Sequence, residues 1–121
     1  MQKCILVVDD QEDVRSMMKI AIENFGYSVI ESGGPFDAIE KAEKFLPQMI
    51  LMDIGMPLLD GLSAAQLIGA IEGCRQIPII VLTAYSDIRD QAIKAGCVDV
   101  LYKPVQFEKL KEMLDSHLGG H

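Results

Sequence analysis

Short apolar runs alternate with segments of helical period five times along this chain, and that alternation constrains the fold more than any other feature of the sequence. The runs cover residues 3–8, 27–31, 49–52, 79–82 and 98–102. Each has the length of a strand, and three are almost continuously apolar, as strands covered on both faces are. Strands separated by helices pair in parallel, because each crossover carries the chain back to the edge it left. The expectation is one α/β domain, a doubly wound five-stranded parallel sheet with five helices.

The helical segments support this. Val14, Met17, Met18, Ala21, Ile22 and Phe25 lie on one face of a 3.6-residue period, with Asp10 as the expected cap and Gly26 as the stop. Met17 and Met18 are both expected in the core. Pro35 opens a second helix running to about Phe45, and residues 61–71 form a third. The fourth, residues 87–95 before Gly96, has only Ile88, Ala92 and Ile93 to bury, so its docking is expected to be the weakest. Phe107, Leu110, Leu114 and Leu118 give the face of the fifth.

Composition removes other classes. With 50% apolar and 24% charged residues the chain is not disordered, and no apolar run approaches the roughly 18 residues of a membrane span. Eleven basic against eighteen acidic residues leave a net charge of -7, which excludes direct nucleic-acid binding. Cys4, Cys74 and Cys97 fit neither a disulfide framework nor a zinc site, and Met1 leads almost directly into a strand without room for a secretory leader. A soluble, cytoplasmic domain is expected. In 121 residues the ten elements leave no room for a second domain, and residues 119–121 read as a linker start or a cloning remnant.

In an open parallel sheet, ligands bind beyond the carboxyl ends of the strands. After the first run come Asp9 and Asp10, after the third Asp53, after the fourth Thr83, and after the fifth Lys103 and Pro104. The second is followed by Ser32, Gly33 and Gly34, which suits an edge strand in the order 2-1-3-4-5. Singly, each residue has an ordinary use: a helix cap, a solvated carboxylate, a strand-ending threonine, a surface lysine. Together they occupy the same end of four strands, which independent surface residues have no reason to do.

Two carboxylates about 4 Å apart repel by about 4 kcal/mol at an effective dielectric of 20, so three together raise their pKa values or recruit a cation. A hard divalent ion with oxygen ligands, Mg²⁺, is the natural occupant. With that charge and Lys103 offsetting a phosphoryl group, ionised Asp53 is a competent nucleophile that forms an acyl phosphate. Asp53 is favoured because it follows the central strand and precedes a loop rich in Gly and Pro.

These residues bring the chain close to a known family. Val7-Val8-Asp9-Asp10, Leu51-Met52-Asp53-Ile54-Gly55-Met56-Pro57 with Asp60-Gly61, Pro78-Ile79-Ile80-Val81-Leu82-Thr83-Ala84 and Tyr102-Lys103-Pro104 together resemble the CheY-like receiver domain of two-component response regulators. The likeness runs from Lys3 to Leu118, so residues 1–118 are expected to be the receiver domain, of flavodoxin-like fold. It implies that Asp53 takes its phosphoryl group from a phosphohistidine on a sensor histidine kinase or phosphotransfer protein. Asp9 and Asp10 would position Mg²⁺, with Asp10, Asp53 and the Gly55 carbonyl as protein ligands. Gly55 departs from the side chain often found there, which bears on phosphoryl lifetime more than on the metal.

The resemblance also implies that Lys103 pairs with a phosphoryl oxygen across a cis Lys103-Pro104 bond. Thr83 and Tyr102 would be a switch pair, Thr83 moving to the phosphoryl group and Tyr102 turning inward. The output face would be the fourth helix, fifth strand and fifth helix, offered to an effector protein or fused output domain by a monomer or a phosphorylation-dependent dimer. Such a domain is a signalling element that catalyses only its own phosphorylation and dephosphorylation. Tyr85 is expected to cover the acyl phosphate.

Two other readings are weaker. A phosphohydrolase with an aspartyl nucleophile would normally need a general acid, and none stands two residues beyond Asp53. A phosphorylation-independent interaction module would have no use for the complete set of groups. His117 and His121 have the spacing of a metal pair, but Gly119 and Gly120 interrupt the helix between them, and Gly33-Gly34-Pro35 reads as a turn.

Overall fold

The structure, a computed structural model, describes residues 3–55 and 60–119. Met56 and Pro57 of the second motif, and Gly120 and His121 of the tail, lie outside the described residues. Ten elements alternate: β1 (Cys4–Val8), α1 (Glu12–Asn24), β2 (Ser28–Ser32), α2 (Pro35–Phe45), β3 (Met49–Asp53), α3 (Gly61–Gly69), β4 (Ile79–Thr83), α4 (Arg89–Lys94), β5 (Asp99–Tyr102) and α5 (Phe107–Leu118). All strand pairs are parallel, in the order β2-β1-β3-β4-β5. The doubly wound sheet expected from the alternation is therefore present, with its order reversing between β1 and β3.

Two apolar cores form, one on each face of the sheet. One packs α2, α3 and α4 against Leu6, Val8, Ile50, Met52 and Val81, and the other packs α1 and α5 against Ile5, Val7, Leu51, Ile80 and Leu82. Every residue of β3 and β4 is buried, while β2 is mostly half-buried, as a central position and an edge require. No helix among the described residues is long and apolar enough to cross a membrane.

Several local expectations need correction. Asp10 does not cap α1: the N-cap position is Gln11, and the buried Asp9 carboxylate accepts the Gln11 amide at 2.9 Å instead. Met17 is not core but 59% exposed, because α1 turns only Met18, Ala21 and Ile22 fully onto the sheet. Phe107 and Ile93 are likewise exposed, leaving Ala92 as the one buried residue of α4. That helix spans six residues rather than nine, and α3 closes at Gly69 rather than Ile71. Tyr27 falls outside β2, its ring buried and its hydroxyl donating to Asp115 Oδ1 at 2.6 Å. The positive φ at Gly26 and Gly96 ends α1 and α4, a conformation that favours glycine.

Candidate functional site

Parallel pairing with little stagger sets the last residues of the central strands side by side. Val8 is level with Met52, Asp53 with Leu82, and Thr83 with Tyr102, so Asp9, Asp53, Thr83 and Lys103 emerge at one edge. A cavity of about 300 Å³ opens there, bordered by Asp10, Asp53, Gly55, Thr83, Tyr85 and Lys103. The five sequence-predicted groups thus meet at the point where the strand order reverses.

Among the described residues, the electrostatics are those of an anionic pocket with one cation. Carboxylate oxygens of Asp9, Asp10 and Asp53 lie within 4.8 Å of one another. Lys103 Nζ stands 3.4 Å from Asp53 Oδ2 and 3.6 Å from Asp9 Oδ2, within ion-pair reach of both. Asp9 is wholly buried, and among the described residues its Oδ2 has no hydrogen-bond donor, since the 3.6 Å to Lys103 exceeds hydrogen-bond length. Burial pushes the Asp9 carboxyl above the usual aspartate range; Asp53 and Asp10 add to the rise, and the Gln11 amide and Lys103 oppose it. A buried, partly unsatisfied carboxylate beside two others is a costly arrangement unless a cation completes it. The oxygen-only donor set suits a hard divalent ion.

The nucleophile candidate is fixed in place. Asp53 is 6% exposed, and its Oδ1 accepts the Gly55 amide at 3.0 Å. Its backbone is clamped by α3, whose first residue Gly61 lies so close that a β-carbon would stand 2.5 Å from the Asp53 carbonyl oxygen and 2.7 Å from Ile54 Cα. Asp60 caps that helix by accepting from Ser63 N at 2.9 Å. The Asp60-Gly61 pair was visible as a motif, but the need for glycine there follows only from this close approach. Gly55 carries no side chain into the pocket and would admit a β-carbon at ordinary contact distance from Asp53 Oδ1, 3.6 Å.

Thr83 is buried, and its Oγ1 accepts the Tyr85 amide at 3.0 Å. Tyr102 is 38% exposed, its hydroxyl reaching the Ser86 carbonyl at 3.5 Å, so the ring lies outward. The Lys103-Pro104 bond is cis, as the resemblance implied, and Lys103 N donates to the Thr83 carbonyl at 2.7 Å. Arg15, which the sequence did not single out, reaches back from α1 to donate to the Asp9 carbonyl at 2.7 Å.

An acidic pocket at the carboxyl edge of a doubly wound sheet, with a lysine and a threonine facing a central aspartate, is the site plan of a receiver domain. The family model for the response regulator receiver domain matches residues 5–115, and the chain belongs to that family. It is therefore a signalling domain of the two-component class. The chain is 36% identical over 111 residues to the cyclic di-GMP phosphodiesterase response regulator RpfG of Xanthomonas campestris pv. campestris, covering 88% of this chain and 29% of that protein. It is 31% identical over 121 residues to the polar-differentiation response regulator DivK of Brucella ovis, covering 98% of each. The chain thus spans less than a third of RpfG but nearly all of DivK. Among solved structures, the receiver domain of sensor histidine kinase PA1611 from Pseudomonas aeruginosa PAO1, with a magnesium ion coordinated in its active site cleft, superposes with a TM-score of 0.90. That match has 33% identity and covers 99% of this chain and 100% of the other.

Proposed function

We propose that this receiver domain accepts a phosphoryl group on Asp53 from the phosphohistidine of a sensor histidine kinase or histidine phosphotransfer protein, in the cytoplasm and in the presence of Mg²⁺. The observation that carries this reading is the wholly buried Asp9 Oδ2, which among the described residues lacks a hydrogen-bond donor and lies beside two further carboxylates and Lys103. Asp10, Asp53 and the Gly55 carbonyl would hold the ion, with Asp9 behind them. Bound there, the ion offsets the charge of the incoming phosphoryl group so that an anionic nucleophile can approach it.

In the transfer, an Asp53 carboxylate oxygen forms a bond to phosphorus as the phosphorus–nitrogen bond to the donor imidazole breaks. The imidazole leaves with the electron pair. The Gly55 amide keeps the Asp53 carboxylate oriented during the approach. Lys103, shared between Asp9 and Asp53, has only to shift its ammonium to pair with a phosphoryl oxygen. The Thr83 hydroxyl uses a lone pair for the Tyr85 amide, so its proton remains available for a phosphoryl oxygen. Tyr102, held outward by a single long hydrogen bond, would then turn in and alter the α4–β5–α5 face. Swinging such an equilibrium from 1:99 to 99:1 takes about 5.5 kcal/mol, within reach of two or three charge-assisted hydrogen bonds. The domain turns over no separate substrate.

Incubation with acetyl phosphate and Mg²⁺ tests the proposal by intact mass. One base-labile phosphoryl adduct is expected, absent when EDTA replaces the metal and absent in Asp53→Asn. An adduct of equal yield in Asp53→Asn, or none in the wild type, would refute it.

A further inference from the structure

We propose that Arg15 is a positioning residue for the Asp9–Asp10 pair, an inference that rests on reading those carboxylates as the cation site. Arg15 lies in the first turn of α1, with only 16% of its side chain exposed. Nη1 donates to the Asp9 carbonyl at 2.7 Å and Nε donates to Glu31 Oε1 on β2 at 3.1 Å. Lys19, one turn further along α1, holds the other oxygen of Glu31 at 3.7 Å. The guanidinium therefore spans from a helix to an edge strand and grips the β1–α1 loop on the way.

What it grips matters more than the ion pair. The Asp9 carbonyl belongs to the peptide unit that joins Asp9 to Asp10, so fixing that oxygen fixes the orientation of the Asp10 backbone. The other side of Asp9 is already held, its amide donating to the Ser32 carbonyl at 3.1 Å. Asp10, by contrast, is exposed and has no hydrogen bond or ion pair of its own among the described residues, although its carboxylate is repelled by those of Asp9 and Asp53. Without the brace, that repulsion swings the loop outward and the three carboxylates no longer converge. Gly33 lies beside it: a β-carbon there would sit 3.4 Å from Arg15 Nη1, at the edge of ordinary contact, which leaves little room for a longer side chain directed toward the guanidinium. This gives Gly33 a use beyond forming a turn.

The test separates bracing from general stability. Magnesium affinity of the cation-free protein is measured by calorimetric titration in wild type, Arg15→Met, Arg15→Lys, Gly33→Leu and Lys41→Met. Partners that orient a metal's ligands typically contribute about 10- to 100-fold to its affinity, so Arg15→Met should weaken Mg²⁺ binding by about tenfold or more. Arg15→Lys, which keeps one donor, should recover part of the loss, and Gly33→Leu should mimic Arg15→Met. Lys41 is the control: it donates to the Glu31 carbonyl and pairs with Asp37, ties α2 to the same strand, and touches neither Asp9 nor Asp10. Its loss should leave the Mg²⁺ dissociation constant unchanged at whatever cost in urea midpoint. Unchanged magnesium affinity in Arg15→Met, or an equal loss in Lys41→Met, would overturn the proposal. A wild type that bound no magnesium would instead overturn the reading of the cation site. The brace would then be decided by the Asp10 and Gln11 amide heteronuclear NOE values, which must fall in Arg15→Met if the guanidinium holds the loop and stay unchanged if it does not.

Discussion

Replacing Asp9 with asparagine should make the cation-free domain more stable, although it removes a buried ion pair. Lys103 attracts the Asp9 carboxylate across 3.6 Å, worth about 4.6 kcal/mol at an effective dielectric of 20. Each neighbouring carboxylate, within 4.8 Å, repels it by at least about 3.5 kcal/mol on the same scale. Asp10 is exposed, and its share is discounted for screening by water. Burial with Oδ2 unsatisfied adds a desolvation cost that the single Gln11 amide offsets in part. The net penalty on ionised Asp9 is roughly 1–2 kcal/mol, and asparagine, neutral and of the same shape, escapes it. In thermal unfolding with EDTA at neutral pH, Asp9→Asn should melt higher, by about 3–6 °C for each kcal/mol in a domain of this size.

The pH dependence gives the prediction its sign. The folded-state pKa of Asp9 is raised above 3.8, so the fold favours the protonated acid. The advantage of Asp9→Asn is therefore full above the raised value, shrinks as pH falls through it, and is gone below 3.8, where Asp9 is neutral in both folded and unfolded chains. Magnesium should reverse the order at neutral pH, because an ion that binds only the folded wild-type site stabilises it by mass action. An Asp9→Asn variant that melts lower in EDTA, or whose advantage does not change with pH, would refute this account of the pocket's electrostatics.

Other perturbations have equally definite outcomes. Gly61→Ala forces a β-carbon against the backbone of Asp53 and Ile54, so urea unfolding should show a loss of about 1–3 kcal/mol, with slower phosphorylation from acetyl phosphate. Tyr27→Phe deletes the 2.6 Å bond to Asp115, the contact that, after burial, raises the Tyr27 hydroxyl pKa to about 12. A stability loss of about 1.5–3 kcal/mol is expected from the urea midpoint, and a smaller loss would mean that the bond contributes little. Tyr85, two-thirds exposed and lining the same pocket as the bare Gly55, should slow attack of water on the acyl phosphate. Tyr85→Ala should therefore shorten the phosphoprotein's half-life, and an unchanged dephosphorylation rate would show that the ring does not shield it.

The sheet and its site were legible in the sequence for one physical reason. A strand buried on both faces must be apolar until it leaves the sheet, so the first polar residue after each run marks the edge where it emerges. Asp9, Asp53, Thr83 and Lys103 are all such residues. What the sequence did not disclose depends on which surface meets which. The apolar stripe of α1 is wider than the sheet can cover, so Met17 and Ile20 remain outside beside Phe107. Tyr27 reads as part of a strand because its partner, Asp115, lies on the far end of the chain. Arg15 looks like an ordinary polar residue of a helix, since its roles depend on the distance to Glu31 and to a backbone carbonyl rather than on any motif. Asp10 reads as a cap because its spacing fits, whereas the buried neighbour supplies that bond.

The most direct measurement is an amide NMR titration of the cation-free protein, first with Mg²⁺ and then with beryllofluoride as a phosphoryl mimic. Mg²⁺ alone should shift Asp10 and Gly55, and beryllofluoride should then move Thr83, Ala84, Tyr102 and Lys103 along one saturation curve, with no response to either step in Asp53→Asn beyond weak metal binding. Shifts confined to Asp10 and Gly55 after both additions, with the ends of β4 and β5 silent, would contradict a single phosphoryl-accepting pocket built from four strand ends.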